Sequence, residues 1–176
     1  MKKNIKYRQI GGFIFASALG TLLHYLYEWT GESVLVAPFS GVNESTWEHM
    51  KLLYFPLFVF AVVQSFHYKE YENFWCIKLC GIITGLLTIP VLFYTLNGAF
   101  GKTPSWVNIA IFYVSAFLAF WIETMLFKKE KKLCKWNTLA FAVIVVIGVL
   151  FVVFTFATPK IPLFLDPLTG TYGVNG

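Results

Sequence analysis

Five apolar segments, each close to the length that crosses a lipid bilayer, restrict the folds open to this 176-residue chain. A transmembrane helix needs about 20 predominantly apolar residues. Hydrophobic residues make up 57% of the sequence and charged residues only 13%, which is more apolar surface than a soluble core of this size can bury. The sequence therefore predicts an all-α integral membrane bundle of five transmembrane helices, forming a single domain over residues 1–176. The segments are 11–29, 45–66, 77–96, 106–127 and 138–158.

The positions of lysine and arginine predict how the bundle is oriented, because short cytoplasmic loops retain positive charge. Basic residues gather before the first segment, at or beside the loop between the second and third, and between the fourth and fifth. They are Lys2, Lys3, Lys6, Arg8, Lys69, Lys78, Lys128, Lys129, Lys131, Lys132 and Lys135. We therefore expect a cytoplasmic N-terminus and an extracytoplasmic C-terminus. The net charge of +5 would face anionic lipid, so we expect membrane lipid as a partner and no nucleic acid.

The three cysteines are predicted to stay reduced. On this topology Cys76, Cys80 and Cys134 all lie toward the cytoplasm, where disulfides are rare. Their spacing also matches no standard zinc motif. We therefore expect no disulfide framework.

A polar run, N-E-S-T-W-E-H-M-K at residues 43–51, opens the second segment. The uninterrupted apolar part that follows, 52–63, is too short to span a membrane unless this run supplies the outer turns. Ser45 and Glu48 have the spacing of a capping box, in which each side chain bonds the other residue's backbone N–H. Lys51, three residues beyond Glu48, can neutralise it across one helical turn. The run is therefore expected inside the membrane boundary.

Ionisable side chains from three separate regions are expected at this same outer level. They are His24, Glu28, Glu44, Glu48, His49 and Asp166. Two histidines with several carboxylates are a typical ligand set for zinc or another divalent metal. The same set could work without metal, with a carboxylate as base and a histidine as proton carrier. Each residue alone also has an ordinary structural interpretation, such as a hydrogen-bonded interior histidine.

We predict a role for each of these residues. The metal ligands would be His24, His49 and Glu48, and the catalytic groups Glu48, Glu44 and Lys51. Structural or orienting roles are expected for the remaining set: Asn43, Ser45, Trp47, Glu28 and Asp166.

Glu123 is a separate candidate near the cytoplasmic end of the fourth segment. At 1.5 Å per residue it lies about 25 Å from the outer group. It would pair with Lys128 or a neighbouring lysine. If it faces inward instead, it would be a second station on a proton path, since ionisable groups inside membrane helices often mark such paths.

The run at 43–51, together with His24 and the tail D-P-L-T-G-T-Y-G at 166–173, resembles an uncharacterised family of small bacterial multi-pass membrane proteins. The similarity extends over nearly the whole chain. It implies a bacterial cytoplasmic-membrane protein, and it carries no activity.

Three functions remain open from the sequence. The first is a metal-assisted hydrolase or transferase acting on a lipid or lipid-linked substrate. The second is a small proton- or cation-coupled transporter, and the third a noncatalytic membrane subunit or assembly factor. Whether the chain is an enzyme, and which protein partners it has, are not determined by the sequence.

Overall fold

The structure is a computed structural model that describes residues 2–68, 71–129 and 134–174, with residues 2–4 described by their backbone only. The described residues form five helices, and the predicted all-α class is confirmed. Lys69, Lys131 and Lys132, used above to predict orientation, lie outside the described residues. The helices are α1 (Lys2–Trp29), α2 (Thr46–Ser65), α3 (Phe74–Phe100), α4 (Ser105–Lys128) and α5 (Asn137–Phe156), followed by a 3₁₀ turn, Pro162–Phe164.

Four of these helices are long and apolar enough to cross a membrane. They are Ile5–Trp29 within α1, and the whole of α3, α4 and α5. The helix α2 is not among them, because its first two turns carry the polar residues of the run at 43–51. Its crossing of the membrane, and the predicted orientation of the two termini, stay predictions.

The first four helices form a closed ring in which each packs against two others, and α5 packs on the outside of α3. Small residues let α3 and α4 approach closely: a side chain at Gly85 would contact Ala119 of α4 at 3.2 Å. Fully buried Leu53, Ile82 and Ala116 fill the centre of the ring. This arrangement leaves the C-terminal end of α1 next to the N-terminal ends of α2 and α4.

The structure joins Cys76 and Cys134 as a disulfide, so the expectation that the cysteines stay unpaired is wrong. Asn137, the first residue of α5, accepts hydrogen bonds from the backbone N–H groups of Trp75 and Cys76 through its Oδ1, at 2.8 and 3.3 Å. Those bonds hold the start of α5 against the start of α3, which brings Cys134 beside Cys76 with 6.5 Å between the Cα atoms. Cys80 is free and exposed.

Candidate functional site

A buried ion pair lies near the N-terminal end of α2. The Lys51 Nζ lies 2.6 Å from Glu48 Oε2, and both side chains are almost completely buried. The same ammonium donates to the Ala37 carbonyl and to Thr155 Oγ1, each at 2.9 Å. Glu48 Oε2 also accepts the backbone N–H of Val42 at 3.0 Å. The predicted neutralisation of Glu48 by Lys51 is confirmed, and the pair also ties the preceding loop and α5 to α2.

Half of the predicted capping box is present. The Ser45 Oγ accepts the backbone N–H of Glu48 at 3.3 Å and caps α2. The prediction that the Glu48 carboxylate accepts the backbone N–H of Ser45 is wrong, because this carboxylate is turned toward Lys51. The Ser45 N–H instead donates to Asn43 Oδ1 at 3.0 Å.

One carboxylate lies between two imidazole rings at this end of the bundle. The Nε2 atom of His24 is 3.5 Å from Glu44 Oε1, and the Nε2 atom of His49 is 3.5 Å from Glu44 Oε2. The two ring centroids are 5.9 Å apart. The loop before α2 thus brings Glu44 to histidines from two different helices. The structure therefore places His24 and His49 together as expected, with Glu44 rather than Glu48 between them.

A hydrogen bond to the backbone determines the tautomer of His49, and so the state of the Nε2 atom that faces Glu44. The His49 Nδ1 lies 2.9 Å from the Ser45 carbonyl oxygen, which can only accept a hydrogen bond, so Nδ1 carries a proton. In the neutral ring the Nε2 atom then has a lone pair. A lone pair and a carboxylate oxygen repel each other unless a proton, a water or a cation lies between them.

These three side chains line an open cleft of about 480 Å³ between the C-terminal part of α1 and the N-terminal part of α4. The wall mixes aromatic and polar groups: Thr21, Tyr25, Asn108, Phe112 and Tyr113. A second, water-sized cavity of about 10 Å³ lies on the other side of His49. His49, Asn108 and Phe112 line both spaces.

The C-terminal segment covers one edge of the site. Asp166 is buried and accepts the backbone N–H of Leu168 through Oδ1 at 2.7 Å, and Leu168 itself lines the cleft. The Asn43 side chain donates to the Gly173 carbonyl at 3.3 Å, which attaches this segment to the polar run. The convergence of the Asp166 carboxylate itself with the histidines stays a prediction.

Over residues 2–174 the chain matches a family described as a family of unknown function, DUF6512. The chain belongs to the DUF6512 family. The resemblance to an uncharacterised family is thereby confirmed, whereas the bacterial origin that it implied stays a prediction. No curated protein and no solved structure matches the chain.

Two predicted site residues of this DUF6512 protein lie away from the cleft. Glu28 is exposed near the end of α1, although it follows His24 by one helical turn. Trp47 packs against Phe151 and Phe164, with ring centroids 4.5 and 4.6 Å away, and so serves the interior of the bundle.

Glu123 forms the second buried ion pair of the DUF6512 protein, at the opposite end of the bundle. Its Oε2 is 2.6 Å from Lys78 Nζ and accepts from Gln9 Nε2 at 3.0 Å. The expected pairing with Lys128 is wrong. The prediction that Lys78 flanks a loop is also wrong. The Lys78 side chain is buried within α3 among four phenylalanine rings. Close packing of α3 on α4 allows this contact, since a side chain at Gly81 would overlap Glu123.

Within the described part of the chain, no group of three or more His, Cys, Asp or Glu side chains is arranged so that it could hold a metal ion. The predicted ligand set of His24, His49 and Glu48 is not assembled, because Glu48 faces Lys51. The nearest approach to such a group is the pair of histidines with Glu44. No sequence signal distinguished Glu44 from Glu48 as the carboxylate that meets the histidines.

Proposed function

We propose that the chain is a membrane-embedded enzyme, a metal-assisted hydrolase or transferase that acts on a lipid or lipid-linked substrate at the outer face. One arrangement carries this proposal: His24 and His49 present their Nε2 atoms to the two oxygens of Glu44 at the wall of a cleft between two membrane-crossing helices. Histidine and carboxylate side chains with an open side for water are typical of catalytic zinc sites.

A cation shared by these residues would require the Glu44 carboxylate to turn, because the two rings now approach different oxygens of it. In a tetrahedral site with metal–ligand bonds of about 2.0–2.1 Å, neighbouring ligand atoms are about 3.4 Å apart. The two nitrogen–oxygen distances are 3.5 Å each. Glu44 is about one-third exposed and sits at the end of a loop, so it can turn one oxygen toward both rings. The hydrogen bond from His49 to the Ser45 carbonyl would orient the ligand ring, as such bonds do in many metal sites.

The charge balance of the site also favours a cation. Glu48 is neutralised by Lys51, whereas Glu44 and Asp166 have no lysine or arginine in contact among the described residues. With both histidines neutral, these two carboxylates leave the site negative. A divalent cation would offset that charge. It would also supply an acidic water for attack on an ester or phosphoester, with Glu44 or Asp166 able to receive the proton.

The cleft suits an amphipathic substrate. Its aromatic walls, including Tyr25 and Phe112, lie on helices that cross the membrane, and its polar floor carries Glu44. A lipid could place its headgroup at the histidines and its chains along α1 and α4. Glu48 and Lys51 would then act indirectly, by holding the loop that carries Glu44.

The decisive measurement is the metal content of protein purified without chelator and without a metal-affinity column, then equilibrated with zinc and dialysed. We expect about one equivalent of zinc, lost in a His24→Ala/His49→Ala double variant. The matched control is His67→Ala, which removes an exposed histidine from the other end of α2. Zinc absent from the wild type, or lost equally from His67→Ala, would sink the metal proposal.

Activity can be sought with a total polar lipid extract as the probe. Mass spectrometry should show that the zinc-loaded protein consumes one lipid class, and that Glu44→Gln does not. If every lipid class survives the wild-type protein, lipid turnover is excluded for the lipids of that extract.

A second candidate is a proton- or cation-coupled transporter, favoured by the buried pair of Lys78 and Glu123 at the far end of the bundle. Cation flux into liposomes that is lost in Glu123→Gln would support it over the enzyme. A third candidate, a noncatalytic subunit, is favoured by the pair of Glu48 and Lys51, which fastens the outer loop to α2. Absence of metal, flux and turnover from a folded protein would leave this candidate.

A further inference from the structure

A second groove runs along the seam between α1 and α4, toward the end of the bundle opposite the histidines. It has a volume of about 470 Å³. Apolar side chains line most of it, and two lysines stand at its edge. The apolar lining includes Ile10, Phe13, Phe117, Trp121 and Met125.

The ionisable groups that line this groove are both cationic. Lys6 comes from the second turn of α1 and Lys128 is the last residue of α4, and both are exposed. The carboxylate of Glu123 in α4 does not line the groove and is already paired with Lys78. We therefore expect the groove to present two positive charges at the membrane boundary, next to its apolar lining, which would extend into the membrane.

One buried acceptor in the groove wall also lacks a partner. Gln9 lines the groove and is 2% exposed. Its Nε2 donates to Glu123, which leaves its Oε1 buried without a hydrogen bond among the described residues. A buried amide oxygen without a partner is unfavourable by about 1–3 kcal/mol in general. A donor from a bound headgroup, or from a water that the headgroup orders, would satisfy this oxygen.

We infer that this groove binds one anionic phospholipid, with its phosphate between Lys6 and Lys128 and an acyl chain along Phe13 and Phe117. Basic pockets between transmembrane helices recognise anionic headgroups through charge, and the adjoining apolar wall replaces contacts that the chain makes with other lipids. The site is independent of the proposed catalytic cleft, which lies at the other end of the same seam.

The test is native mass spectrometry of the full chain in detergent, titrated with dioleoyl phosphatidylglycerol or with dioleoyl phosphatidylcholine. We expect the anionic lipid to bind at least about tenfold more tightly, since the two lipids share their acyl chains but only phosphatidylglycerol carries a net negative charge and hydroxyl donors in its headgroup. In Lys6→Gln/Lys128→Gln, affinity for phosphatidylglycerol should fall about 30-fold while affinity for phosphatidylcholine stays unchanged.

The matched control is Lys129→Gln/Lys135→Gln, which removes the same charge from two exposed lysines that do not line the groove. It should change affinity less than about threefold. A second variant, Ile10→Trp, fills the groove and should lower the occupancy of both lipids. Equal affinity for the two lipids, or an equal loss in the control variant, would overturn the inference. Circular dichroism of each variant shows whether the helices are retained.

Discussion

The ion pair of Lys51 and Glu48 provides the sharpest test of how the N-terminal end of α2 is held against the preceding loop and α5. Lys51→Met keeps most of the apolar stem of the side chain and removes the ammonium. That ammonium has three contacts, at 2.6 Å to Glu48, 2.9 Å to the Ala37 carbonyl and 2.9 Å to Thr155. The substitution therefore leaves a buried carboxylate whose remaining hydrogen bond comes from the Val42 N–H.

Because Lys51 is completely buried and Glu48 nearly so, solvent cannot replace the lost partner. Removing one member of a buried ion pair costs about 3–5 kcal/mol, most of it from the charge left behind. We expect a loss of that size in the free energy of unfolding. The double variant Glu48→Gln/Lys51→Met removes the stranded charge as well, so it should recover about 2 kcal/mol relative to Lys51→Met.

The assay is unfolding in mixed micelles of dodecyl maltoside and increasing SDS, followed by far-ultraviolet circular dichroism at pH 7. Lys102→Met is the control, because Lys102 is exposed, and it should stay within about 0.5 kcal/mol of the wild type. The reasoning is refuted if Lys51→Met loses less than about 1 kcal/mol. It is also refuted if the double variant is no more stable than the single one.

Two further outcomes are expected. Alkylation of the unreduced, denatured protein should label one thiol, that of Cys80. Reduction should expose two more thiols, from Cys76 and Cys134. Three labelled thiols without reduction would contradict the disulfide. Gly81→Ala should lower the free energy of unfolding by about 1–3 kcal/mol, because its Cβ would lie 2.5 Å from the Glu123 side chain. Gly98→Ala in the same helix meets open space and should be neutral or slightly stabilising, so equal effects of the two substitutions in thermal unfolding would contradict this packing.

The features that the sequence predicted well are local ones. The helices follow from runs of apolar residues, and the Ser45 cap follows from residues three apart. Lys51 and Glu48 are also three residues apart in one helix, so their contact depends only on helix geometry. None of these requires knowing which helix lies beside which.

The composition of the candidate site depended on helix rotation, which the sequence does not contain. Glu48 and His49 are adjacent in α2, yet Glu48 faces Lys51 while His49 faces the cleft. Glu44 precedes the helix and reaches the histidines because the loop before α2 folds back over α1. In that fold, the Ser40 hydroxyl bonds the Leu23 carbonyl of α1.

Contacts between distant parts of the chain were mispredicted for the same reason. Lys78 and Glu123 are 45 residues apart, and Cys76 and Cys134 are 58 apart. Orientation rules assign Lys78 to one side of the membrane, but they do not predict that it is buried against a carboxylate of another helix. Only the packing of α3 against α4 and α5 determines these pairs.

The contact between Lys51 and Thr155 has a consequence for biogenesis. Thr155 is synthesised 104 residues after Lys51, so the ammonium cannot acquire its full set of partners until α5 has left the ribosome. Until then α2 presents a lysine and a glutamate that are only partly satisfied. We therefore expect the N-terminal end of α2, with the loop that carries Glu44, to become ordered late in the assembly of the nascent protein. A chain truncated before α5 should leave that end exposed to membrane quality-control proteases.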